Sequence, residues 1–247
     1  MTILSTRPHG EADRLIARLA ELGVRVVAVP TVATEPLPFE PPDLAAYDWV
    51  VVTSAAGARH LLDRLPLGRE SGAAGSLRWA AVGPQTAAAL SERGVTVSAL
   101  PEVSRGARIA EAIAAEAPLA GLRVLLARAD AAAADLPLRL RAGGALVDEL
   151  DVYRTVEGPE SSRAPLDLAL ADPELAAVVF ASGSAVRGLR RLAARDVRWL
   201  PAVTIGPATS EVARQEGFRV AAEAERPSVE GMVAAIRVAL AGMGSFN

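Results

Sequence analysis

Val178-Val179-Phe180-Ala181-Ser182-Gly183-Ser184-Ala185-Val186, followed by Val203-Thr204-Ile205-Gly206-Pro207-Ala208-Thr209, decides the fold. Each piece is an apolar strand run that breaks at small hydroxyl or glycine residues and passes into a helix. The pattern occurs earlier as Val50-Val51-Val52-Thr53-Ser54-Ala55-Ala56-Gly57-Ala58 and Ala81-Val82-Gly83-Pro84-Gln85-Thr86. Ser54 maps onto Ser182 at an offset of 128 residues and Gly83 onto Gly206 at 123. Alternation of short β-branched runs with helical runs argues an α/β fold in which a parallel sheet is flanked by helices.

The stretches around this pattern repeat as well. Ile3-Leu4-Ser5-Thr6-Arg7 aligns with Val124-Leu125-Leu126-Ala127-Arg128, Gly23 with Gly144, and Val24-Arg25-Val26-Val27 with Ala145-Leu146-Val147-Asp148, all at an offset of 121. Leu15, Ile16, Leu19 and Leu22 predict a helix over residues 11–22, capped by Gly23 and followed by a buried strand over 24–29. Further helices are expected over 55–65, 85–93 and 105–115, strands over 79–82 and 95–99, and a flexible loop over 68–72. The chain order is therefore opening unit, turn unit, opening unit, turn unit.

Such a chain builds two similar lobes. The connection at its middle, residues 116–121, is short, whereas proline-bearing stretches lie near 35–46 and 156–173, and linkers mark the places where few contacts cross. The expected domains are residues 35–155, continuous, and residues 1–34 with 156–247, discontinuous, joined by a two-stranded linker. Carboxyl ends of the strands would then face a cleft between the lobes.

Composition narrows the chemistry. The 247 residues are 51% hydrophobic with mean hydropathy +0.27, enough for a large core. No apolar run approaches the length of a membrane span, and Met1-Thr2-Ile3-Leu4 enters a strand with no basic region ahead of it, so the expected location is the cytoplasm, away from membranes. Cysteine is absent, which removes disulfides and thiolate nucleophiles. All 26 basic residues are arginine, which removes Schiff-base chemistry and a P-loop lysine. His9 and His60 form no ligand cluster and are read as surface or capping residues. A net charge of −3 and a pI of about 5.6 give no global field for nucleic acid. Gly72, Gly75 and Gly83 stand in the wrong context for a dinucleotide fingerprint.

The turns can nonetheless hold anions. Each lies where a strand ends and a helix begins, so unpaired amides and the positive end of the helix dipole meet there. Ser54, Thr86, Ser182, Ser184 and Thr209 add hydroxyls, although Ser and Thr also serve as plain N-caps. Arg7 and Arg128 sit at equivalent strand ends and can pair with carboxylates or remain surface arginines. Tyr153, in Asp151-Val152-Tyr153-Arg154-Thr155, can present a phenol as donor or weak acid, or fill a strand position as a half-buried aromatic.

Leu4-Ser5-Thr6-Arg7-Pro8, Val52-Thr53-Ser54-Ala55, Ala81-Val82-Gly83-Pro84-Gln85-Thr86, Val152-Tyr153-Arg154-Thr155, Phe180-Ala181-Ser182-Gly183-Ser184-Ala185-Val186 and Ile205-Gly206-Pro207-Ala208-Thr209 together resemble the uroporphyrinogen-III synthase family. The six motifs fall in the family's order over nearly the whole chain. The resemblance implies a cofactor-free enzyme that closes linear hydroxymethylbilane, a substrate with eight carboxylates, to uroporphyrinogen III while inverting the last pyrrole ring through a spiro intermediate. It implies that Tyr153 assists departure of the terminal hydroxyl, and that Ser182 and Thr209 contact carboxylates or the leaving group. With the turn and strand-end reading, the candidate substrate-binding residues are Arg7, Ser54, Ala55, Gly83, Thr86, Arg128, Ser182, Gly183, Ser184, Gly206 and Thr209. The expected partners are the bilane itself and, by transient hand-over, hydroxymethylbilane synthase; the enzyme is expected to be a monomer. Gly183 stands where the family usually has proline, Ala181 where it has threonine or an aromatic, and Ala56 where it has asparagine. A non-catalytic two-lobe binder of an anionic small molecule would keep the turns but have no use for Tyr153.

Overall fold

A computed structural model describes residues 1–7, 13–65, 77–101 and 106–243. His9, Gly72, Gly75, the expected loop over 68–72, and the expected helix starts at Glu11 and Arg105 lie outside the described residues. In chain order the elements are β1 (Thr2–Ser5), α1 (Asp13–Ala20), β2 (Arg25–Ala28), β3 (Val32–Pro36), β4 (Trp49–Val52), α2 (Ala55–Leu62), β5 (Arg78–Ala81) and α3 (Pro84–Ser91). There follow β6 (Val97–Ala99), α4 (Gly106–Glu116), β7 (Arg123–Ala129), α5 (Asp135–Ala142), β8 (Leu146–Glu157), α6 (Arg163–Leu170), β9 (Leu175–Phe180), α7 (Gly183–Leu192), β10 (Ala202–Thr204), α8 (Pro207–Gln215), β11 (Val220–Glu223) and α9 (Val229–Met243). The chain forms two compact units, Met1–Ala33 with Val156–Asn247, and Thr34–Thr155.

Among the described residues the first unit holds a sheet in the order β11-β10-β9-β1-β2, and the second a sheet in the order β3-β8-β7-β4-β5-β6. The five-strand run β6-β5-β4-β7-β8 repeats β11-β10-β9-β1-β2, and the pairings in both are parallel. The repeat holds to the residue: Ile3 beside Val26 becomes Val124 beside Val147, Leu4 beside Val178 becomes Leu125 beside Val50, and Val203 beside Val179 becomes Ala80 beside Val51. A one-residue slip would turn every side chain to the other face, so this agreement means that both sheets bury the same pattern.

Both faces of the central strands are covered, which is why β1, β4 and β9 read as continuous apolar runs rather than alternating ones. β2, expected to be buried, instead lies at the sheet edge and is exposed or half-buried along its length. In the first unit Leu4, Val178 and Phe180 pack under α7 with Val186, Leu189 and Leu192, while Ile3, Ala177 and Val179 pack on the other face against Leu15, Leu19, Met232 and Ile236. In the second unit Val50 and Val52 meet Ala58, Leu61 and Leu62 of α2, while Trp49 and Val51 meet Ile109, Ile113, Leu136 and Leu140.

Two stretches differ from the reading of their prolines. Residues 156–173 are not an extended connection throughout: α6 occupies their second half and buries Leu166, Ala169 and Leu170. Pro165 is tolerated because it lies in the first helical turn, where its missing N–H has no intrahelical acceptor to lose. Pro137 sits likewise near the start of α5, a helix between Arg128 and Gly144 that has no strong apolar periodicity. The start of the 35–46 stretch belongs to β3, whose place at the sheet edge accommodates Pro36. Leu37 N then donates to Val152 O at 3.1 Å.

Among the described residues no helix is long and apolar enough to cross a membrane, and no group of three His, Asp or Glu side chains is placed to hold a metal.

Candidate active site

In an open parallel sheet a ligand seat forms at the carboxyl ends of the strands, where the strand order reverses. The first unit reverses between β1 and β9, and the second between β7 and β4. The residues following β9 and β4 are the two serine turns, so the repeat places both at a switch point.

In the second unit Ser54 is extended (φ −152°, ψ 156°) and caps α2, its Oγ accepting from Gly57 N at 2.9 Å. Ser54 Oγ also lies 3.0 Å from the Tyr153 hydroxyl. Tyr153 stands on β8, 8% exposed, and brings its ring against the first turn of α2. There Gly57 keeps the approach close: a Cβ on it would come a tight 3.1 Å from Ser54 Oγ and touch Tyr153 Cε1 at 3.6 Å. One turn further along α2, the half-buried His60 stacks on the Tyr153 ring, with centroids 5.6 Å apart and planes 28° apart. Its Nε2 is 3.1 Å from Thr34 Oγ1. Burial pushes the His60 pKa below its usual value, Asp63 opposes that shift and Arg59 adds to it, so the imidazole is neutral near pH 7.

His60, read from the sequence as a surface or capping residue, is half-buried and stacked on Tyr153, a contact that the sequence reading did not foresee. Its place three residues after Gly57, on the helix face that covers β8, is the signal that could have revealed it. Ala55 opens α2 and leaves its N–H without an intrahelical acceptor. Gly83 is the extended N-cap of α3, with Pro84 behind it and Thr86 buried in the first turn.

In the first unit Ser182 caps α7, Oγ accepting from Ala185 N at 3.2 Å and lying 2.9 Å from Ser184 Oγ. Gly183 begins the helix against α8, and a Cβ there would meet Val212 Cγ2 at 2.9 Å, so this turn packs closer than a larger residue allows. Gly206 caps α8 in extended backbone; a Cβ on it would meet nothing within 4 Å, and its turn is open in front. Thr209 is 6% exposed, with its N donating to Gly206 O at 3.1 Å. Beneath it Ser210 Oγ lies 2.6 Å from Thr204 Oγ1 and donates to Glu223, anchoring the helix start to β10 and β11.

The two strand-end arginines differ. Arg128, 8% exposed, donates to Glu149 at 2.5 Å and to Ala132 O, and lies 3.7 Å from Asp151. Its donors are occupied within its own unit. Arg7 is half-buried, and its Nε has no hydrogen-bond partner among the described residues. The residues equivalent to Glu149 and Asp151 are Ala28 and Pro30, which have no carboxylate to offer.

A family model described as HEM4, uroporphyrinogen-III synthase HemD, matches residues 13–234. The chain is 28% identical over 239 residues to the porphyrin biosynthesis protein HemD of Ruminiclostridium josui, covering 94% of this chain and 47% of that protein, so it spans about half of that relative's length. It is 29% identical over 254 residues to the uroporphyrinogen-III synthase of Synechococcus elongatus, covering 95% of this chain and 94% of that protein. The crystal structure of uroporphyrinogen-III synthetase from Helicobacter pylori shares the fold with a TM-score of 0.67 at 18% identity, covering 97% of this chain and 99% of that one. With the match extending from α1 into α9, the chain belongs to the uroporphyrinogen-III synthase HemD family.

Proposed function

We propose that the protein closes hydroxymethylbilane to uroporphyrinogen III, inverting ring D through a spiro intermediate. The observation that carries this reading is the Tyr153 hydroxyl held 3.0 Å from Ser54 Oγ at the N-cap of α2. With Ser54 donating to the phenol oxygen, the phenol proton is free for the departing hydroxyl, which leaves as water as the pyrrole nitrogen supplies the electron pair. Negative charge developing on the phenol oxygen is met by the Ser54 hydroxyl and the positive end of α2. The azafulvene so formed is its own electrophile, and the substituted carbon of ring D attacks it. The spiro intermediate then fragments and recloses at the free position.

The protein's remaining task is to fold and hold a polycarboxylate. In the first unit Ser182, Gly183, Ser184, Gly206 and Thr209 offer hydroxyls and first-turn amides for carboxylates, and Arg7 offers a guanidinium. In the second unit Ala55, Gly83 and Thr86 offer the same kind of seat. Arg128 contributes by fixing the end of β7 rather than through a free donor. In this reading the enzyme needs no cofactor, works as a cytoplasmic monomer and takes the bilane by transient hand-over from hydroxymethylbilane synthase.

The test is the isomer ratio of uroporphyrin after oxidation, with freshly generated hydroxymethylbilane incubated with and without protein. Unassisted closure gives the type I isomer, and the protein is expected to turn the product to type III. Persistence of type I with folded protein would sink the reading and leave a non-catalytic binder of an anionic molecule.

A further inference from the structure

We propose that His60 is a positioning residue of this reaction, acting on Tyr153 through the stack of its imidazole on the phenol ring; the inference rests on the function proposed above. Tyr153 lies in a slot with Gly57 as its floor, Ser54 at its hydroxyl end and His60 along its side. A phenol on a strand keeps rotation about its two side-chain torsions unless neighbours stop it. Ser54 anchors only the hydroxyl, and a hydroxyl contact alone does not fix the plane of the ring. The imidazole fixes that plane, and it is itself held at its far end by Thr34 Oγ1 at 3.1 Å. The contacts run from β3 through Thr34 and His60 to Tyr153, and from there to Ser54 and the amide of Gly57.

The repeat supplies an internal control. At an offset of 128 the equivalent of His60 is Gly188, and the equivalent of Tyr153 at an offset of 121 is Val32. The register of β9 beside β1 and of β4 beside β7 is the same, although the helix after β9 carries no imidazole; Val32 itself stands on β3, outside the five-stranded sheet. His60 answers to Tyr153, not to a requirement of the scaffold. A neutral imidazole suits the task, because it stacks on the phenol without imposing a positive charge that would favour the phenolate before the substrate arrives.

The test uses the full chain with His60→Ala, His60→Phe and Tyr153→Phe, singly and with each His60 change combined with Tyr153→Phe. His60→Ala is expected to lower kcat for the type III isomer by about tenfold or more with KM within about twofold, the range that a small misplacement of a reacting group produces. His60→Phe keeps a ring against the phenol and should recover most of that loss. In the Tyr153→Phe background neither His60 change should lower kcat further, because its effect passes through the phenol. Wild-type kcat in His60→Ala, or losses that simply multiply in the double variants, would overturn the inference.

A second readout needs no substrate. Tyr47 and Tyr153 are the two tyrosines of the chain, so Tyr47→Phe leaves the Tyr153 ring as the only tyrosine signal in a ring-labelled NMR spectrum. That signal should be displaced by the imidazole ring current and should move in His60→Ala. An unmoved signal means that the imidazole does not hold the ring, whatever the activity. A protein that makes no type III isomer yet shows the displacement would fail as a synthase while retaining the stack.

Discussion

His60 of α2 and Gly188 of α7 occupy the same place in two copies of one scaffold, and they do opposite things. In the second unit the helix and the neighbouring strand are held apart by aromatic side chains, His60 on Tyr153. In the first unit they touch through backbone: a Cβ on Gly188 would lie 1.9 Å from Thr31 O and 3.0 Å from Gly158 N, the two groups that hydrogen-bond to each other at 2.9 Å. Thr31 Oγ1 also donates to Ala185 O at 2.8 Å, where the second unit has Gly57 beneath the phenol. Equal strand order and register therefore carry two different fillings. One copy is closed by peptide contacts and presents serine and threonine, and the other is opened just enough to admit a phenol.

The largest expected effect breaks the closed copy. Gly188→Ala places a methyl group into the Thr31 carbonyl and should destabilise the first unit by about 3 kcal/mol or more, read as a lower denaturant midpoint. His60→Ala should change the melting midpoint far less, since it removes a side chain rather than a backbone approach. The two capping serines sharpen the contrast. Ser54→Ala and Ser182→Ala should each cost about 1 kcal/mol of stability, but only Ser54→Ala removes the partner of Tyr153 and should lower kcat strongly. Gly206→Ala should cost up to about 1 kcal/mol of stability, because alanine caps a helix less well than glycine while its methyl group meets no neighbour, and the methyl at the mouth of the α8 turn should raise KM.

The smallest effect is a pH dependence. Because the His60 pKa in the folded chain is lowered, chiefly by burial, the unfolded chain takes up the proton first as pH falls through 6.5. The neutral histidine's contribution is full above that value and is lost as pH falls through the lower folded-state value. Between about pH 7 and pH 5 the melting temperature of wild type should fall more than that of His60→Phe; equal slopes would show that His60 is not desolvated.

The sheets were legible because β-branched runs over residues 49–52 and 175–180 end abruptly at serines and glycines, and because both copies do so. The serine caps were legible for the same reason, as a small hydroxyl residue before an alanine-rich run has few other uses. The edge strand β3 and the helix α6 were hidden by their prolines, whose tolerance depends on an edge or a first turn that only the fold supplies. Arg128 matched Arg7 by motif, yet Glu149 and Asp151 on the adjacent strand occupy its donors, a pairing visible only once register is known. His60 was hidden most completely. A lone histidine on a helix says nothing until Tyr153, far along the chain, is laid beside it.

The most direct measurement is the rate of type III formation by Tyr153→Phe, with kcat and KM separated and melting compared with wild type. Removal of a positioned acid should lower kcat by about a hundredfold or more, with KM and the melting midpoint nearly unchanged. An unchanged kcat would contradict the assignment of the phenol and, with it, the difference in chemistry between the two copies.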